Sequence, residues 1–241
     1  MAKADAIIRQ ITDLIEARID AWNSNMPKLQ EDSYKVVLEL SAELETTNGQ
    51  IKPSVKNIKT IAKIKAELDR TVFSKEYQDD LDAIIQDYKT ISELQRNYFT
   101  AVVGKFKVPS VLEQIQQLAQ DSVIEQLGQD AIGANFTGPI KDILVKNVTT
   151  GGSRADFIEQ AREFILNTDT GDGRLVRYTK QIVTDSMNQF SANYNATITD
   201  DLGLVWYKYD GSLKDTSRPF CDALIGAKKS CMPYIHQSQL E

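Results

Sequence analysis

The sequence predicts a mainly α fold, with an amphipathic helical N-terminal region followed by a small C-terminal α+β module. Apolar residues recur at steps of three and four through most of the chain, which places them on one face of a helix. The 241 residues include 12 Gly and 6 Pro, about 7% of the chain where average usage is about 12%, so few turns interrupt the helices. After Gly203, the β-branched and aromatic run from Leu204 to Tyr209 is typical of a strand.

Residues 1–127 are predicted to form five or six amphipathic helices that pack into a bundle or against a partner. The first helix is predicted from Ile7 to Trp22. It is expected to end at residues 23–27, because Pro27 lacks the backbone N–H that a helical hydrogen bond requires. The second covers about residues 32–45 and is expected to end at Asn48-Gly49, because both residues tolerate positive φ.

The rest of this region follows the same periodicity. Helices are expected from Ser54 to about Leu68, from Leu81 to Tyr98 and from Ser110 to Ile124, with a break at residues 104–109. Their apolar stripes include Val55, Ile58, Val111 and Leu118. No residue pattern in this half indicates chemistry, so we expect its helices to pack together or bind a partner.

Residues 128–139 are predicted to form a linker or irregular loop, because they hold three Gly and one Pro. The α+β module is expected to occupy residues 140–241. It begins with a short helix that ends at Gly151-Gly152. Ser153 with Asp156 three residues later is the signature of a capped helix start. A longer helix is expected over residues 175–194.

The loop at residues 167–173 invites comparison with a calcium-binding loop. Asp169, Asp172 and two glycines resemble part of an EF-hand, which requires a bidentate Glu at its twelfth position. Counted from Asp169, that position is Lys180. The sequence therefore predicts a solvated turn here.

The segment after the predicted strand combines turn-forming and charged residues. Asp210-Gly211 supplies a turn, and Asp215 and Thr216 can cap a turn or a helix start through their side-chain oxygens. Arg218 can pair with Asp215, with a backbone carbonyl, or stack on an aromatic ring of the strand. Cys221 is expected to be buried as a small apolar residue.

This C-terminal region resembles the phage head morphogenesis family, the minor head proteins typified by that of phage Mu. The resemblance covers about residues 142–241 and includes the strand and turn that hold Tyr209 and Gly211. The positions that match most specifically are Asp215, Thr216, Arg218, Pro219, Cys221 and Gly226. Because members of the family carry a later segment with His and Cys, we expect the module to be incomplete at its C-terminus.

The resemblance implies a structural role without a cofactor. Such proteins are minor components of the phage head, associated with the portal vertex and needed for head assembly or DNA delivery, and some bind DNA. The implied partners are portal or major capsid proteins. The implied location is the virion, in the head interior or at the portal vertex, after assembly in the host cytoplasm.

An enzyme is the first rival function. The one histidine of the chain is His236, and no nucleophile-elbow, phosphate-binding or zinc-protease motif occurs. A Cys221–His236 dyad would require a lowered thiol pKa and hydrogen-bonding reach, neither of which the sequence supplies. We therefore expect no catalytic residues.

A small zinc- or nucleic-acid-binding module is the alternative function. Cys221, Cys231 and His236 offer three zinc ligands, whereas structural zinc usually takes four from closely spaced pairs. With 28 Lys+Arg against 34 Asp+Glu, the net charge is −6, which disfavours a general nucleic-acid binder and leaves weak, salt-dependent DNA contact through the less acidic tail.

No apolar run in the sequence approaches the roughly 20 residues that cross a bilayer, and the N-terminus lacks a secretion signal. Two cysteines do not form a disulfide scaffold. We expect a cytosolic type of protein with no membrane partner.

Overall fold

The computed structural model describes residues 2–167, 172–204, 206–208 and 231–233. The predicted mainly α class is confirmed: helices account for most of these residues, and the strands form two small two-stranded sheets. Among the described residues, no helix combines the length and the apolar character that crossing a bilayer requires.

The first helix, α1, runs from Ala2 to Ser41 without the predicted interruption. Pro27 lies inside it and faces solvent. The prediction of a break is wrong because the buried face continues through the proline, with Trp22, Met26 and Leu29 all at most 5% exposed. Burying three such side chains contributes about 1.5–3 kcal/mol each, which exceeds the roughly 3 kcal/mol cost of an internal proline.

Asn48-Gly49 forms a hairpin turn and not a helix end. Its φ values are 51° and 81°, and it joins β1 (Thr46–Thr47) to β2 (Gln50–Ile51), which pair antiparallel. Two consecutive residues with positive φ match the twist of a two-residue hairpin. The expectation of positive φ is correct, but the element that uses it differs from the prediction.

Three long helices follow the hairpin. They are α2 (Val55–Val72), α3 (Lys75–Val103) and α4 (Val111–Leu127). The Ser54 hydroxyl caps α2 by accepting from the Asn57 amide, and Ser74 caps α3 in the same way. Ser110 precedes α4 but forms no side-chain cap. The predicted break at residues 104–109 is present.

Residues 129–139 are helical after an extended Gly128, so the prediction of an irregular segment is wrong. They form α5 (Gln129–Ile132), a π-helical turn (Gly133–Thr137) and the start of α6 (Gly138–Thr150). Ile132 and Phe136 are buried, and the Thr137 hydroxyl donates to Asp69 of α2 at 2.6 Å. Tertiary contacts on one side of this segment outweigh the low helix propensity of its glycines.

The last two helices agree with the sequence prediction. At the start of α7 (Arg154–Leu166), Ser153 and Asp156 form the predicted capping box. The start of α8 (Arg174–Asp201) lies against α1, where Gln30 Oε1 accepts from the Val176 amide at 3.4 Å. A buried glutamine of α1 thus serves as the cap of α8.

Within the part of the chain that the structure describes, one hydrophobic core joins the N-terminal helices to α6, α7 and α8. It extends from Ile7 of α1 to Ile198 of α8, and α1 packs against α2, α3, α7 and α8. Arg18 of α1 donates to Asp87 of α3 at 2.6 Å, and this carboxylate is largely buried. The core therefore continues across the predicted boundary at residues 128–139.

The predicted C-terminal strand is confirmed over its central residues. β3 (Trp206–Lys208) pairs antiparallel with β4 (Cys231–Pro233), with Tyr207 opposite Met232. The turn predicted at Asp210-Gly211 lies outside the described residues.

Candidate functional site

The family-motif residues predicted from the sequence lie outside the described part of the chain. They are Tyr209, Gly211, Asp215, Thr216, Arg218, Pro219, Cys221 and Gly226. The same holds for His236, while Cys231 is described only as a backbone position in β4. Their proposed roles stay predictions. Within the described ranges, no group of three His, Cys, Asp or Glu could hold a metal ion.

The described residues form a groove of about 650 Å³ between α4 and α8. Leu118 of α4 contributes the most exposed apolar side chain to it, at 68% exposure. Ile182 and Phe190 of α8 supply apolar surface opposite. At 1.5 Å per residue, the lining extends over about 28 Å of α8, residues 181–200, and over about 17 Å of α4, residues 115–126. Both helices wall the groove over this shorter length, which is that of about three helical turns.

An aromatic cluster supports the groove from below. The rings of Tyr88 in α3 and Phe190 in α8 meet edge to face at 4.7 Å between centroids, and Tyr194 packs on Phe190 at 5.6 Å. Burial raises the pKa of Tyr88 to about 12 and raises the pKa of Tyr194. The Tyr88–Phe190 pair joins α3 to α8 below the groove, whereas Phe190 and Tyr194 lie one turn apart on α8.

Polar contacts fix the two groove helices to α3. Gln95 Nε2 donates to the backbone oxygen and the hydroxyl of Ser191 in α8, both at 2.9 Å. Gln120 Nε2 of α4 donates to the Ile85 carbonyl at 3.0 Å. Because these glutamines are buried, each bond is costly to break. They position the groove walls without lining the groove.

The groove is acidic. Asp185 and Asp200 line it directly. Neither α4 nor residues 181–201 of α8 contain a Lys or Arg, while together they carry six carboxylates. These carboxylates belong to Glu113, Asp121, Glu125, Asp185, Asp200 and Asp201. A rim of one charge sign favours ligands of the opposite sign.

The exposed face of α2 has the opposite charge. Its eight exposed residues comprise four apolar and four cationic side chains and no carboxylate. We call this set the lysine face; its members are Val55, Lys56, Ile58, Lys59, Ala62, Lys63, Ala66 and Arg70. Val55 and Ile58 are 70% and 62% exposed, although the sequence periodicity assigned them to an apolar stripe of α2.

A second, smaller groove of about 490 Å³ lies where the first turns of α1 meet the end of α3. Its lining combines Ala6, Leu94 and Ala101 with Lys3, Gln10 and Asn97. Most of these side chains are small or carry an amide, and charges are not concentrated among them. The lining therefore indicates no class of ligand.

The sequence did not reveal either surface, because a hydrophobic stripe has the same periodicity whether it faces the core or solvent. The available signal was charge: α4 contains no basic residue, and exposed positions of α2 contain no acidic one. That asymmetry can be read from the sequence once the exposed positions are known.

Comparison of the chain with protein-family models, with curated proteins and with solved structures finds no match.

Proposed function

We propose that this protein is a non-enzymatic structural component of a phage head that acts near the portal in head assembly or DNA delivery. The supporting observation is the run Asp215-Thr216-Ser217-Arg218-Pro219-Phe220-Cys221 after a strand that begins at Trp206. This run resembles the motif of the minor head proteins. The proposed partners are portal or major capsid proteins, with DNA as a weak additional ligand.

The described geometry is compatible with such a role because it offers surfaces for protein partners. The groove between α4 and α8 exposes apolar side chains beside carboxylates, and the lysine face of α2 exposes them beside cations that partly pair with neighbouring carboxylates. Exposed apolar surface with a charged rim is typical of protein-binding sites. The buried tyrosines and glutamines serve packing and helix positioning.

The proposed location is tested by following the protein through particle purification. Tagged protein should copurify with DNA-filled heads through a density gradient at a fixed copy number, and cryo-electron microscopy should place it at one vertex. A matched control is an unrelated cytoplasmic protein with the same tag. Absence of the protein from purified heads would refute the proposal.

The zinc-binding alternative has a separate test. Bound zinc at one equivalent per chain, lost in a Cys231→Ser variant, would support it over a purely structural module. A zinc content far below one equivalent in protein purified without chelators would exclude it.

A further inference from the structure

We propose that the protein associates with itself head to tail, with the lysine face of α2 on one copy seated in the acidic groove between α4 and α8 of the next copy. The two surfaces are the exposed residues of α2 and the groove lined by α4 and α8. This inference does not depend on the proposed phage role.

Charge complementarity is the first argument. The lysine face presents four cations, three of which pair with Glu43, Glu45 and Glu67 beside it, whereas the groove helices present carboxylates and no cation over α4 and residues 181–201. Lys59 on the lysine face and Asp185 on the groove have no ion-pair partner among the described residues. Opposite potentials on two patches steer and orient association.

The existing pairs on the lysine face do not block it. Lys56 and Lys63 contact Glu45 and Glu43 at 3.6 and 2.7 Å, and Arg70 contacts Glu67 of α2 at 2.8 Å. All six side chains are at least 33% exposed. Exposed pairs of this kind contribute little to stability. Both lysines can therefore exchange their partners for groove carboxylates.

Apolar surface and length are the second argument. Val55 and Ile58 are more than half exposed on α2, and Leu118 is equally exposed in the groove. The lysine face extends from Val55 to Arg70, about 22 Å of helix, which is long enough to span the length of about 17 Å over which both helices wall the groove. Docking would bury these three apolar side chains together.

The pairing has to be intermolecular. The opposite face of α2 is buried, with Ile64 and Leu68 fully inaccessible, and α2 packs on α1 and α6. The groove helices pack on each other and on α3. A rigid α2 cannot reach the groove of its own chain without leaving the core.

Charge disfavours contacts between like surfaces, because groove on groove would oppose carboxylates and α2 on α2 would oppose lysines. In a two-fold dimer residue i contacts residue j and j contacts i, so symmetric pairing of the unlike surfaces needs both of them in one patch. A head-to-tail contact instead pairs the two surfaces with different neighbours. Such contacts extend into a ring when the rotation closes and into a filament when it does not.

The first experiment measures association of the full chain by sedimentation velocity across a concentration series. We expect concentration-dependent oligomers at about 0.1 M NaCl that weaken about tenfold or more at about 1 M NaCl, because the screening length falls from about 10 Å to about 3 Å. A monomer at every concentration in low salt would overturn the proposal.

Surface variants identify the two patches. Ile58→Asp on the lysine face and Leu118→Asp in the groove should each abolish association while circular dichroism and thermal unfolding stay unchanged, since both side chains are mostly exposed. Val102→Asp, at an apolar position of α3 that is 51% exposed and lines neither groove, is the control and should associate normally. If the Ile58→Asp and Leu118→Asp proteins both still form oligomers, the assignment of the two contact surfaces is wrong.

Mixing the two variants gives the decisive outcome. Ile58→Asp keeps an intact groove and Leu118→Asp keeps an intact lysine face, so a mixture should form a dimer of one copy of each and nothing larger. A symmetric contact of groove on groove or of α2 on α2 predicts no such rescue, and neither does a groove that is filled by another segment of its own chain or by a foreign partner. A mixture that stays monomeric would therefore refute head-to-tail pairing.

Discussion

At the scale of single residues, the buried tyrosines make the stability of the core depend on pH. Tyr77 and Tyr88 are fully inaccessible, and burial raises both of their pKa values, that of Tyr88 to about 12. The Tyr77 hydroxyl donates to the Leu127 carbonyl at 2.7 Å. The Tyr88 hydroxyl makes no hydrogen bond of good geometry, and its neighbour Ser186 donates to Val183. Tyr88 therefore stabilises the core through its ring.

Removing the Tyr88 hydroxyl should change the alkaline stability of the protein. The folded pKa of about 12 exceeds the unfolded value of about 10, so stability is complete below pH 10 and falls as the pH rises through 12. Across this window Tyr88 accounts for a loss of up to about 2–3 kcal/mol. In urea unfolding, the free energy of unfolding of Tyr88→Phe should fall less between pH 10 and 12 than that of the unaltered protein. If the two proteins are equally stable at pH 7 and lose stability equally above pH 10, the prediction is wrong.

At the scale of elements, contacts between helices decide where a helix begins. Gly173, which precedes α8, has no side chain to cap it, and a Cβ there would overlap the Ile165 carbonyl and the Gln30 amide. The cap comes instead from Gln30, more than 140 residues earlier. Gly173 thus leaves room for the Gln30 side chain, and Gln30 of α1 supplies the hydrogen bond to the start of α8.

Gln30→Leu should destabilise the protein by about 1–2 kcal/mol, because it leaves the buried Val176 amide without an acceptor. Hydrogen exchange should accelerate first in the opening turn of α8. Gln86→Leu, at an exposed position of α3, is the control and should cost little. Equal stability of the two variants would show that Gln30 is not a cap.

At the scale of the whole molecule, the described residues share one core in which α1 contacts α2 and α3 as well as α7 and α8. Tyr77 of α3 reaches the end of α4, and Thr137 of the π-helical turn reaches Asp69 of α2. Elements that share buried side chains unfold together. The helical segment at residues 129–139 joins two parts of this core.

Unfolding should therefore be a single cooperative transition. In a Trp206→Phe background, fluorescence reports on Trp22 alone, which is 1% exposed in α1. Its denaturation midpoint should coincide with that of the helical signal in circular dichroism. Two domains joined by a linker would instead leave a helical transition that Trp22 does not detect.

Signals between neighbouring residues were sufficient to predict much of the fold. The capping box of Ser153 with Asp156, the glycine after α6 and the positive φ of Asn48 involve neighbours within four residues. The strand after Gly203 also follows from its β-branched and aromatic composition. The motif residues that carry the family resemblance lie beyond the described residues, so their roles rest on sequence alone.

The sequence by itself determined the mainly α class, most helix positions and the charge of each helix, because periodicity, caps and composition act over a few residues. Only the tertiary structure decided that α1 continues through Pro27, that residues 129–139 are helical, and that Leu118 and Ile58 face solvent. Each of these depends on which distant side chains bury a surface, and burial across the core outweighs local propensity.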